Sequence, residues 1–269
     1  MTETISAFID GPEDRPTLIY VPGIQGDCTL IPALRRALGN DVYWVELTYP
    51  QTTGWTLERY ASELLECLRQ RGIKRGWLLG ESFGSQVVFS VVGQCSLDGK
   101  NPFFEVEGIV LAGGFVRHPF VPGVHLARIL TQYTPAFLLK LLLHIWKFCS
   151  QIRVGDDPVR QKSILDFVAR RTEEDLQAWV HRLRLISAAR LGEVAARSTI
   201  PLFAIAGFWD PVVVWPPVRW WLRQHCRGYR KWKTVWSADH TVLFTQPDVS
   251  ADFIRASMGC RRETEASTV

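Results

Sequence analysis

The sequence predicts an α/β chain: a mostly parallel central sheet with helices on both faces, and a helical cap inserted before its last two strands. Three observations predict it. Short β-branched and aromatic runs alternate with helix-like runs over most of the 269 residues, the pattern of strand–helix–strand units that place a parallel sheet between helical layers. A G-x-S-x-G stretch, Gly80-Glu81-Ser82-Phe83-Gly84, joins one such strand to one such helix. Between residues 115 and 197 strand signals give way to leucine and aromatic clusters with helical spacing. The expected division is a core of residues 1–114 and 198–269 and a cap of residues 115–197. A hydrophobic content of 47% is ample for a core of that size.

Taken in order, Thr17-Leu18-Ile19-Tyr20-Val21 is a strand that stops at Pro22-Gly23, and residues 41–47 form a second. Residues 30–38 between them read as a helix. A further helix over residues 56–69 has Thr56 as N-cap and Leu57, Ala61, Leu64, Leu65 and Leu68 on one face. A strand over 76–80, the serine turn, a helix over 85–92 and a strand over 106–112 follow. After the insertion come a strand over 200–206, a helix after Pro217, a strand over about 230–236 and a last helix over about 247–257. Residues 261–269 are expected to be a disordered tail.

The net charge of +4 is mild and interspersed, giving no general field for nucleic acid. Cys28, Cys67, Cys95, Cys149, Cys226 and Cys260 have neither C-x-x-C nor metal-finger spacing and read as free, mostly buried thiols of a reducing compartment. Residues 1–14 contain four acidic residues and lack the basic start and apolar stretch of a secretory signal. The longest apolar segment, residues 135–149, is broken by Lys140, His144 and Lys147 and is too short to cross a bilayer. A cytoplasmic location is expected.

A serine on a sharp strand-to-helix turn has strained dihedrals, and glycines two residues either side let strand and helix approach without a Cβ clash, so the hydroxyl stands out above the sheet. The plain alternative is a glycine-rich turn, since the motif alone arises by chance. A nucleophilic serine needs a histidine to take its proton and a carboxylate to fix the histidine's tautomer, and on this expected fold the chain order is serine, acid, histidine. Asp210 lies just beyond the 200–206 strand, and residues 113–118 after the preceding strand hold no carboxylate. His240 is the only one of six histidines after the final strand. Asp210 in a turn before Pro211 could serve merely as a turn cap. Asp239 is the rival acid, disfavoured because adjacent loop residues rarely face each other. Ser82, Asp210 and His240 are thus the expected catalytic triad. Two backbone N–H groups must face the developing oxyanion; Phe83 should supply one and Ile24 the other, with Gln25 as the fallback donor, unless residues 21–26 are simply a Pro-Gly turn.

Through residues 21–26, 80–84, 207–210 and Asp239-His240, the chain resembles the α/β-hydrolase family, over about residues 15–258 apart from the insertion. It departs from many members at Pro22, where they carry histidine before the glycine. Pro22-Gly23-Ile24-Gln25-Gly26, Leu47-Thr48-Tyr49-Pro50 and Glu81-Ser82-Phe83 are further similar to bacterial relatives of plastid phytyl ester synthases and diacylglycerol acyltransferases.

In residues 135–151, Lys140, His144, Lys147 and Gln151 share one helical face and apolar side chains take the rest. Such a helix can cover an acyl pocket; a cap helix packed against the core with its basic stripe simply solvated is preferred over a peripheral membrane contact. The stretch 219–233 interleaves Trp220, Trp221, Tyr229 and Trp232 with arginines and lysines. Its aromatics are expected in the core and its charges at the surface, in preference to nucleic-acid or membrane binding. The residues expected to meet substrate are Gln25, His118, Leu138, Leu142, Trp146 and Trp209. Together these readings lead to a serine esterase acting on a small-molecule ester with an apolar acyl group, needing no metal and no cofactor. The alternatives are an acyltransferase passing the acyl group to an alcohol, as the narrower resemblance implies, and a non-catalytic binding protein on the same fold.

Overall fold

Along the interior strands, successive side chains enter different cores. Ile19 and Val21 join one apolar cluster while Leu18 and Tyr20 join another; Leu78 and Leu79 divide likewise, as do Ile109 and Leu111 against Val110 and Ala112. Two-faced burial of this kind marks a sheet covered by helices on both sides. The computed structural model describes residues 3–97 and 102–260; the tail expected over residues 261–269 lies outside the described residues.

The sheet contains β1 (Ser6–Asp10), β2 (Thr17–Val21), β3 (Tyr43–Thr48), β4 (Arg75–Glu81), β5 (Glu105–Ala112), β6 (Leu202–Gly207) and β7 (Tyr229–Val235). Their spatial order is β1-β3-β2-β4-β5-β6-β7. All neighbours are parallel except β1, which runs antiparallel to β3 with Ser6 opposite Thr48. The sequence reading did not find β1. It is an edge strand whose residues are exposed or half-exposed in alternation, so it lacks the continuous apolar run of its neighbours.

Helices α1 (Pro32–Leu38) and α11 (Pro247–Met258), with the short α10 (Val242–Thr245), cover one face; α2 (Leu57–Gln70), α3 (Gly84–Val92) and α9 (Trp215–His225) cover the other. Thr56 caps α2 as expected, its hydroxyl accepting the Arg59 N–H at 3.3 Å. Every residue of α3 is buried, so the helix after the serine turn is held on all sides.

Between β5 and β6 run α4 (Val121–Tyr133), α5 (Ala136–Val154), α6 (Pro158–Ala169), α7 (Glu173–Ala188) and α8 (Gly192–Arg197). Val154, Ile164 and Phe167, with Trp146 and Trp179, form a third small core that closes on Leu30 and Phe244, which belong to loop and helix at the carboxyl ends of the strands. Ion pairs add to this seat: Asp157 with Arg36, Arg153 with Asp239, and Arg171 with Asp27. No helix among the described residues is long and apolar enough to cross a membrane. All six cysteines are free, but only Cys67 and Cys226 are fully buried and Cys149 is exposed, so the expectation of mostly buried thiols is corrected.

Candidate active site

Ser82 follows β4 and precedes α3, and its φ of +48° is the only positive value at a non-glycine residue among those described. A left-handed serine is a strained conformation that surrounding structure must enforce. Here the restraint is visible. Ser82 N–H donates to Ala112 O at 3.0 Å, and Ser85 Oγ accepts the Phe115 N–H at 2.9 Å, tying the turn to β5 and its exit. Gly84 is required by close approach: a Cβ there would lie 2.1 Å from Val21 O, inside the backbone that leads to the loop above the serine.

His240 lies beyond β7 and Asp210 beyond β6, so both reach Ser82 from the carboxyl edge, where ligands of open parallel sheets bind. His240 Nδ1 is 2.8 Å from Asp210 Oδ2 and His240 Nε2 is 2.9 Å from Ser82 Oγ. The other oxygen of Asp210 accepts N–H groups from Val212 and Val213 at 2.8 and 2.7 Å, which fixes the carboxylate plane. An ionised Asp210 can only accept, so Nδ1 carries the proton and Nε2 is left to accept from Ser82. Burial alone would lower the imidazole pKa, but the hydrogen bond and charge of Asp210, joined by the charges of Glu81 and Asp239, outweigh it and hold the pKa above its ordinary value. The rival acid is engaged elsewhere: Asp239 accepts from Thr241 N–H and Oγ1 at 2.9 and 2.8 Å and pairs with Arg153 of α5. The loop carrying it fits only because residue 207 lacks a side chain, since a Cβ there would sit 2.0 Å from Asp239 O.

The loop after β2 turns at Gly23–Gly26, where Gly26 N–H donates to Gly23 O at 3.1 Å, and passes so close to Ser82 that a Cβ on Gly23 would be 3.4 Å from Ser82 Cβ. Among the described residues, neither Ile24 N–H nor Phe83 N–H has an acceptor in the protein. The N–H of Gln25, the fallback donor, likewise has no acceptor among the described residues, while its side chain donates to Glu81 Oε2 at 3.0 Å and Tyr20 Oη at 3.3 Å. Glu81 in turn accepts from Tyr20 Oη at 2.5 Å; burial raises its pKa, against the lowering effect of the Tyr20 and Gln25 hydrogen bonds.

Arg182, only 2% exposed, reaches this loop from α7. Its Nη1 donates to Ile24 O at 2.7 Å, its Nη2 to Pro50 O at 3.0 Å and its Nε to Tyr60 Oη at 3.3 Å. The guanidinium carbon lies 5.3 Å from the centroid of the Tyr49 ring. Sequence reasoning missed both Arg182 and the Tyr20–Gln25–Glu81 cluster. A signal for the first was present: Arg182 falls midway between Ala178 and Ile186, both buried, at the four-residue spacing of one helical face.

A cavity of about 510 Å³ opens above Ser82, lined by His240, Ile24 and a mostly apolar wall from α5, α6 and α7 that includes Trp179. Of the residues expected to meet substrate, Gln25, Leu142 and Trp146 line it. Leu138 does not: it is 37% exposed, and its neighbours Leu139 and Leu143 face the cavity instead. His118 is also absent from it, because its ring is held by Val212 O at 3.1 Å and Phe120 N–H at 3.1 Å and lines a separate cleft with Pro217 and Trp221. Trp209, 70% exposed, packs edge-on against Phe208 and stays outside. In the stretch 219–233, Trp221, Tyr229 and Trp232 pack against the core as expected, whereas Trp220 is 61% exposed and is corrected to a surface residue.

No protein-family model and no curated protein sequence matches the chain. Solved structures do. A hydrolase from Pseudomonas aeruginosa superposes with a TM-score of 0.75 at 17% identity, covering 95% of this chain and 94% of that one. An esterase from Exiguobacterium antarcticum gives 0.73 at 13% identity, with 95% of each chain covered. An alpha/beta hydrolase enzyme from a deep-sea metagenome library gives 0.69 at 14%, covering 96% and 95%. With a mixed, mostly parallel sheet of this order, a serine turn after its central strand and helices set over its carboxyl edge, the chain has the α/β-hydrolase fold.

Proposed function

We propose that the chain is a serine esterase whose substrates are carboxylic esters with apolar acyl groups. The observation that carries this reading is the unbroken relay from Asp210 through His240 to Ser82, with bonds of 2.8 and 2.9 Å, at the floor of an apolar cavity. Ser82 Oγ attacks the ester carbonyl while His240 Nε2 takes its proton, and Asp210 orients and stabilises the resulting imidazolium. The tetrahedral oxyanion is held by the N–H groups of Ile24 and Phe83. Collapse returns the proton to the alcohol, and water, activated by the same imidazole, releases the acyl group from Ser82. Residues 115–197 serve as the cap and the flanking segments as the catalytic core. Neighbours described as hydrolases and esterases support the class of reaction.

The test is labelling by a fluorophosphonate probe, followed by turnover of p-nitrophenyl esters of rising chain length. The parent should be labelled on Ser82 and should hydrolyse the esters, and Ser82→Ala and His240→Ala should do neither. Ester turnover by folded Ser82→Ala at the parental rate would remove Ser82 from the mechanism.

A further inference from the structure

The cavity above Ser82 does not end in an apolar wall. Thr131, Leu139 and Leu176 line it and also line a second cavity, of about 520 Å³, between α4, α5 and α7. The character changes across that shared wall. The second cavity is bordered by Arg128 from α4 and by His181 and Arg184 from α7, with threonine and glutamine side chains and no carboxylate. Among the described residues Arg128 makes one side-chain hydrogen bond, to Gln132 Oε1 at 3.0 Å, Arg184 makes none through its side chain, and neither has an ion-pair partner. His181 Nε2 donates to Trp55 O at 2.7 Å, so the ring is fixed at the cavity wall. The carboxylate nearest in sequence, Asp175, is occupied by Thr172 N–H and Gln51.

Two arginines bordering one space, Arg128 half-buried and Arg184 exposed, with no carboxylate among the lining residues, favour an anion that accepts from both. Toward Ser82 that space adjoins the first cavity along Thr131, Leu139 and Leu176, beyond which the lining is mostly apolar. On the reading of Ser82 as an esterase nucleophile, we infer that the preferred substrate is an ester bearing an anionic group at the far end of an apolar chain. The ester carbonyl lies at Ser82, the chain fills the first cavity, and the terminal carboxylate or phosphate lies in the second, against Arg128 and Arg184.

The experiment measures kcat/KM for methyl hydrogen esters of α,ω-dicarboxylic acids against methyl esters of the matching monocarboxylic acids, over a series of chain lengths. A parallel arm uses acetate esters of ω-hydroxy carboxylic acids against acetates of plain alcohols, which places the anion on the alcohol side instead. A charged hydrogen-bonding pair of this kind corresponds to a preference of at least about tenfold. The preference should appear only beyond a threshold chain length, in one arm or the other, and fall with added salt. Arg128→Gln and Arg184→Gln should each bring the ratio of anionic to neutral substrate toward one. Arg223→Gln, on the surface of α9, should leave the ratio as it is. Labelling of Ser82 by the fluorophosphonate reports separately whether the nucleophile is intact. Labelled enzyme that prefers the neutral ester at every length in both arms, or keeps its anionic preference in Arg128→Gln and Arg184→Gln, overturns the inference and leaves the esterase reading standing. Absence of labelling and of all turnover overturns the esterase reading itself.

Discussion

Replacing Arg182 with methionine keeps a long apolar stem on α7 but takes donors from Ile24 O, Pro50 O and Tyr60 Oη together. Stranding a buried acceptor costs about 1–3 kcal/mol, so the two carbonyls alone amount to roughly 2–6 kcal/mol of stability. At about 2–4 °C per kcal/mol for a chain of this size, the melting temperature should drop by roughly 4–24 °C. The effect on catalysis is separate. The Ile24 carbonyl is fixed by Arg182 and the Ile24 N–H is the proposed oxyanion donor, so freeing one lets the other swing. Complete loss of such a donor costs about 10²–10³ in kcat, and partial misalignment should give about 10–10². Arg182→Lys, able to restore one bond of three, should fall between parent and Arg182→Met. The assay is kcat for a short neutral ester at a temperature where each variant is folded, normalised to the fraction of enzyme labelled by a fluorophosphonate. If folded Arg182→Met melts early yet turns over at the parental kcat, Arg182 holds the loop for stability alone and the link to the oxyanion is wrong.

Asp210→Asn should lower kcat by about 10⁴, because an amide does not fix the tautomer of His240, whereas Asp239→Asn should stay within about tenfold of the parent; the reverse ranking would reassign the acid. In the proposed mechanism His240 is a neutral base, and its pKa is held above the ordinary 6.5, so kcat/KM should rise with pH through a midpoint above 6.5. Removing the Asp210 charge should move that midpoint down, and a parental midpoint at or below 6.5 would contradict the described electrostatics. Leu142→Asn and Trp146→Asn should reduce kcat/KM for long-chain esters more than for acetates, at about 0.8 kcal/mol per methylene no longer buried, while Leu138→Asn should not discriminate; equal effects at all three positions would remove the cavity from acyl selection. Gly84→Ala drives a Cβ to 2.1 Å from Val21 O and should destabilise by about 3 kcal/mol or more, whereas Gly54→Ala, with open space around it, should be within about 0.5 kcal/mol in a denaturant titration.

The strands after β1 and the three residues of the relay were legible because each announces itself locally. The interior strands are apolar on both faces, and Ser82, Asp210 and His240 each stand just beyond a strand, in the chain order expected of this fold. What stayed hidden depends on contacts between distant parts of the chain. Arg182 meets Ile24 across 158 residues and Glu81 meets Gln25 across 56, separations that no local pattern encodes. Trp209 adjoins Asp210 in sequence, yet its N–H bonds Ala238 O and the turn sends the two side chains to different places. On α5 the error was one of phase: one residue is about 100° of helix, enough to exchange Leu138 for Leu139 at the cavity wall. β1 was missed for want of an apolar run, since an edge strand with both faces half-exposed has nothing to repeat.

The contacts of Arg153 and Arg182 bear on how a chain of this fold could diversify. Insertions above a hydrolase sheet are natural units of exchange, since both ends emerge on one edge and new helices can bring new selectivity without altering the chemistry below. Here that modularity is compromised. Arg153 holds the residue immediately before His240, and Arg182 holds the carbonyl of Ile24, so the cap grips the two loops on which turnover would rest. A foreign cap grafted between β5 and β6 would arrive with a new pocket and leave both loops without their restraint. Such chimaeras should fold sooner than they function, and recovering activity would require an arginine reinstalled at each of the two positions. Lineages built this way would change substrate by altering residues inside the existing cap, rather than by replacing it.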